Sequence, residues 1–131
     1  MKALILIVSM MISAGALASI NPTGDTRERV ANVNEALVPK TVEAYDQEVK
    51  AQISGFFSNS CYSFNKIQTT QDKSTNTYTV KTIADVQRGH CLMVMVPFMK
   101  EVNLGTFAPG EYTVRFMNGD ETYFEKFVKA E

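Results

Sequence analysis

The single histidine of this chain, His90, stands beside one of its two cysteines, Cys91. An imidazole next to a thiol suggests a nucleophile with its general base. That chemistry needs the base within hydrogen-bond reach of the sulfur and oriented by a third group. Neighbouring residues on a strand point to opposite faces, and a bridged cysteine has no thiolate. Met93, Met95 and Met99 follow closely, and thioethers are soft ligands suited to Cu(I). Leu92, Val94 and Val96 among them favour a plainer reading, methionines filling a core. Asn118-Gly119-Asp120-Glu121 gathers carboxylates in a turn, far short of the six or more oxygens that calcium takes. No paired-carboxylate, Gly-rich phosphate or His/Cys zinc pattern can be picked out. The expectation is a protein that is not an enzyme, with no catalytic residue, metal or cofactor.

Contact chemistry is better represented. Phe56-Phe57 precedes Cys61. On a strand one of the two rings faces out; in a loop both form an apolar tip suited to a partner, and the plain alternative is that both are core. Two loops are the best candidates, Gly55–Ser60 with Phe56, Phe57, Ser58 and Asn59, and Gln87–His90 with Arg88 and His90. A Cys61–Cys91 bridge would bring them together as one patch with an aromatic centre and a polar rim, the common layout of a contact site.

That bridge is expected from the export signal. Lys2 gives a positive start, Ala3 to Ile12 is apolar but for Ser9, and Ala16-Leu17-Ala18 is the small-residue pattern that signal peptidase cuts. Residues 1–18 are read as a signal peptide, cleaved after Ala18, leaving no membrane span in the mature form. Export places both cysteines in an oxidising compartment, periplasmic or extracellular, where pairing is the default. The chain carries 13 basic and 14 acidic residues, a net charge of −1. Such a mixed surface offers no electrostatic footprint for nucleic acid.

The elements that must position these residues read as strands. Asn21 to Arg29 is polar, with Pro22 and Gly24, so 19–30 is expected to be a flexible lead-in; Asp25 and Glu28 have capping-box spacing for a short helix. Period two then sets in over Val33 to Val38, ended by Pro39. Val49 to Ile53 is a second strand, closed by Gly55. Tyr62 to Thr69 and Thr75 to Ile83 form a hairpin. Leu92 to Val96, apolar at every position, reads as a strand buried on both faces, and Glu101 to Leu104 as a short strand. Tyr112, Val114 and Phe116 alternate with Glu111, Thr113 and Arg115. Asn118-Gly119 follows, and a type I′ turn there needs positive φ at both residues. Thr122 to Val128 returns. Many short strands with turns between them make residues 31–131 one domain, a sandwich or a barrel.

Phe107-Ala108-Pro109-Gly110-Glu111-Tyr112-Thr113-Val114 resembles the turn-then-strand of immunoglobulin-like domains, in which Tyr112 would tie its hydroxyl to backbone a few residues upstream. A wider pattern is similar to small exported bacterial immunoglobulin-like or fibronectin-type sandwich domains. It runs from Gly55, Asn59 and Cys61 through Cys91, Pro97-Phe98, Val102, Leu104-Gly105 and Gly110 to Asn118-Gly119. The resemblance implies an all-β, antiparallel immunoglobulin-like sandwich of about seven to eight strands, with a small antiparallel barrel as the runner-up. Val114 stands where the second intersheet cysteine of antibody domains would be, so Cys61 and Cys91 must join other strands. Asn21-Pro22-Thr23-Gly24 resembles the Asn-Pro-Thr loop of chagasin-type protease inhibitors, but it follows the signal directly and lies outside any strand pair.

The expected function is that of a non-enzymatic exported binding or structural module acting through surface loops, its partner another envelope or secreted protein. A secreted enzyme inhibitor and a small metal or ligand carrier are the alternatives.

Overall fold

The structure is a computed structural model, which describes residues 26–131. The expected signal peptide and the Asn21–Gly24 segment lie outside the described residues. The described residues form nine strands, β1 (Thr26–Val30), β2 (Glu35–Leu37), β3 (Thr41–Val42), β4 (Glu48–Phe57), β5 (Tyr62–Asp72), β6 (Thr77–Gln87), β7 (Val96–Thr106), β8 (Gly110–Met117) and β9 (Tyr123–Ala130). They make two packed sheets, one of six strands and one of three in the order β2-β4-β7. The sheets do not close into a barrel, so the sandwich expected from the sequence is the fold.

Alternation explains which strands carry the core. Val49, Ala51, Ile53 and Phe57 are buried along β4, and Tyr112, Val114 and Phe116 along β8, while the intervening residues face out. The two rows meet with Val80, Val102 and Val128 between the sheets. Phe107 seals one end, its ring 4.7 Å from Tyr78 and 4.5 Å from Tyr112. A smaller cluster of Ala31, Phe57, Ala84 and Phe98 fills the opposite end. Gly55 sits inside β4 because a side chain there would strike Asn32 O at 2.5 Å and the Phe98 ring at 2.8 Å.

The larger sheet is mixed. β5 lines one flank of β6; the other flank is shared, β1 pairing antiparallel from Ile83 to Gln87 and β8 parallel from Thr77 to Lys81. β8 pairs antiparallel with β9, which takes β3 in parallel at its end. Val38, Pro39 and Lys40 carry the chain from β2 in one sheet to β3 in the other, a place where proline's missing N–H costs no ladder bond.

Four expectations are corrected. The polar segment before Val30 is not all lead-in: Thr26–Val30 is a strand, hydrogen-bonded to β6. Its residues are nearly all exposed, so backbone pairing and not an apolar face holds it, and periodicity gives no sign of it. β4 does not close at Gly55 but runs to Phe57. Glu101–Leu104 is part of the eleven-residue β7. The apolar run from Leu92 is not a strand buried on both faces; residues 88–95 form no strand, and β7 begins only at Val96. A strand covered on both faces needs a layer on each side. A two-layer sandwich has only one interior, and other strands fill it.

Candidate functional site

The two cysteines are disulfide-bonded, with Cα atoms 5.3 Å apart. The bridge clamps the turn after β4 to the segment after β6. Asn59 shapes that turn: its Oδ1 accepts from Cys61 N at 2.9 Å, the local bond that makes asparagine a turn residue. Ser60 then holds Leu92 twice, its N–H donating to Leu92 O at 3.0 Å and its Oγ accepting from Leu92 N at 2.7 Å. Gln87 N donates to Cys61 O at 3.0 Å. The loops singled out in the sequence are thus sewn together at one end of the sandwich.

What they present differs from the expected patch. Phe57 is buried, stacked on Phe98 at 4.6 Å, and belongs to the core. Phe56 points out and is 47% exposed. Ser58, Arg88 and His90 are exposed and Asn59 half-buried. Beyond His90 the chain exposes four large apolar side chains in succession, Leu92 at 69%, Met93 at 85%, Val94 at 52% and Met95 at 67%. Met99 is exposed as well, and its sulfur accepts from Gln52 Nε2 at 2.9 Å. The methionines therefore do not fill the core. The apolar run is visible in the sequence, but composition does not say where a segment packs.

The last hairpin reaches the same region. Neither Asn118 nor Gly119 has positive φ, so the expected type I′ turn is not formed; the left-handed residue is Glu121, at φ 69°. Glu121 N donates to Asn118 O at 3.2 Å and Asn118 N to Thr122 O at 2.8 Å, a three-residue loop closed by a left-handed residue. Tertiary bonds dictate it. Asn118 Oδ1 accepts from Val33 N at 3.0 Å, and Gly119 N donates to Asn32 Oδ1 at 2.9 Å. A side chain on Gly119 would meet Val30 O at 2.5 Å, so glycine is required here for close approach. Hydrogen bonds from the Thr122 hydroxyl and then its backbone N–H hold the Asp120 carboxyl below its usual pKa. A cleft of about 380 Å³ separates this loop from Phe56, Ser58 and Tyr62. Nothing local in the sequence pairs Asn118 with Val33.

Tyr112 lies at the other end, its hydroxyl donating to Ala108 O at 2.8 Å. Burial raises the pKa of its neighbour Tyr78, with a further push from Tyr112 itself. A larger groove of about 850 Å³, with Leu37, Val38, Lys40, Tyr112 and Phe127 in its walls, runs between the β2–β3 crossover and β9. It is separate from the residues around the disulfide.

The sandwich and its clamp define a class, a disulfide-stapled all-β domain of an oxidising, extracytoplasmic compartment. Residues 51–127, from the middle of β4 into β9, match the ORF11 beta-sandwich domain. The chain belongs to that family. No curated protein and no solved structure matches it.

Proposed function

We propose that this domain is a non-enzymatic binding module, exported to the periplasm or beyond with cleavage after Ala18, and that it works by surface contact at its disulfide-clamped end. The immunoglobulin-like resemblance around Tyr112 supports this reading, since sandwiches of that kind carry recognition on the loops at their ends. The observation that carries it is the exposed run Leu92–Met95. Exposed large apolar residues occur singly on most proteins and need no explanation, whereas a contiguous patch marks an interaction site. Here the patch starts from a covalent anchor at Cys91 and lies near Phe56, with Ser58, Asn59, Arg88 and His90 as its polar rim.

The test compares Phe56→Ser and Met93→Ser/Met95→Ser with Phe57→Ser. The first two should keep the unfolding midpoint and lose capture of the partner from envelope extracts; Phe57→Ser should unfold the domain. Capture undiminished by both exposed-site variants would refute the reading. The exposed methionines beside His90 favour a second reading, a copper carrier. Stoichiometric Cu(I) binding abolished by Met93→Leu would put that reading first.

A further inference from the structure

The sheet edges of this domain are guarded unequally. β2 and β3 are three and two residues long. β1 carries Arg27, Glu28 and Arg29, and β5 a polar row that includes Asn65, Lys66 and Asp72. Shortness, charge and proline are the usual means of stopping an edge from recruiting another strand; on β7 the one proline is Pro97, which has no N–H to donate. β7 differs. It is the outer strand of the three-stranded sheet and runs eleven residues. Its charges, Lys100 and Glu101, sit at its middle, and from Gly89 to Met99 there is no Asp, Glu, Lys or Arg. Pro97 and Met99 face away from the core in register with Phe56 and Ser54.

We propose that this strip pairs antiparallel with the same strip of a second copy of the chain, about a two-fold axis at Val96. The proposal rests on the contact reading above and names its partner. Three observations support a second copy. The exposed parts of Leu92, Met93, Val94, Met95, Met99 and Phe56 sum to on the order of 700 Å², above the largest patch of a typical monomer and close to the roughly 800 Å² each partner gives to a standard interface. Charge then excludes some registers and permits the one at Val96. Opposed residues of antiparallel strands share a face, so a two-fold axis normal to the sheet passes between the two copies of one residue. At Lys100 or Glu101 it would set like charges together. At Val96, inside the uncharged run, Met95 opposes Pro97, Val94 opposes Phe98, Met93 opposes Met99, and Lys100 meets Leu92. The strip is also pre-ordered: the disulfide and the Ser60 bonds fix its start, and pairing with β4 fixes its end. Little freedom is lost on association.

The experiment is sedimentation equilibrium of the oxidised mature protein through the high-micromolar range. The wild type should approach twice the monomer mass. Val94→Lys/Met95→Lys should sediment as a monomer with an unchanged melting temperature, and Lys66→Glu, on the β5 edge, should still dimerise. Val96→Cys should cross-link two copies under mild oxidation, and Asn103→Cys should not. A wild type that remains monomeric throughout, or a lysine variant that still dimerises, overturns the proposal. If that monomeric wild type captures another protein and the lysine variant does not, the second copy is refuted and the contact site stands.

Discussion

Replacing Cys61 and Cys91 together with alanine tests how the clamp works. The bridge joins residues separated by 30 positions, and the closed loop contains β5 and β6. On the chain-entropy model, releasing a loop of that length costs about 3.6 kcal/mol, because the open unfolded chain gains conformations. The folded ends have other ties: Ser60 to Leu92, Gln87 to Cys61, and the long β5–β6 pairing. The native structure should therefore survive the substitution, and the loss should lie at about 2–4 kcal/mol. For a domain of this size that lowers the melting temperature by on the order of 10–30 °C. Urea unfolding followed by circular dichroism gives a second readout. An uncrosslinked chain exposes more surface when unfolded, so the slope against urea should rise. Wild type treated with reductant should behave as the double variant does. A loss below about 1 kcal/mol with an unchanged slope would refute the reasoning and place the effect of the bridge in the native state.

Tyr112→Phe should lower stability by about 1 kcal/mol, read from the urea midpoint, since it deletes the bond to Ala108 O and leaves the ring packing intact. Gly119→Ala should cost about 1–3 kcal/mol, and Gly119→Asn no less, because Val30 O leaves no room for any side chain; tolerance of asparagine in chemical denaturation would restore the positive-φ explanation. The depressed pKa of Asp120 comes from Thr122. A carboxyl lowered on folding contributes stability above its unfolded pKa and loses it as pH falls through the lower folded value. Thr122→Val should therefore raise the Asp120 pKa, followed by NMR, and reduce the difference in stability between neutral and acid pH.

The strands that carry the core were legible because they are amphipathic. Val49 to Ile53 and Tyr112 to Phe116 alternate on one covered face, and the period survives any choice of partner. The disulfide was legible from two cysteines behind an expected export signal. Three features were not. β1 has no apolar face, so only its backbone partners on β6 reveal it. The Asn118–Thr122 loop follows tertiary bonds from Asn32 and Val33 and overrides the local preference of Asn-Gly. Leu92 to Met95 is as apolar as a core strand, and exposure depends on whether another element covers it. Of the pair Phe56-Phe57, expected at a contact surface, Phe56 is exposed and Phe57 is buried. The larger part of the proposed contact surface, Leu92 to Met95, has the sequence pattern of an interior strand.

The parallel pairing of β6 with β8 has a consequence for how fast the chain reaches this structure. Hairpins such as β5–β6 and β8–β9 close locally, within microseconds when stable. β6 and β8 cannot meet that way. The chain must first leave the sheet, lay down β7 against β4 in the other layer, and return. Each such excursion closes a loop before any contact rewards it, and topologies dominated by non-local pairing fold in milliseconds to seconds. Leu92 to Met95 lies on the outgoing leg of that excursion. A chain folding to this structure therefore spends its slow search with this apolar stretch unpaired.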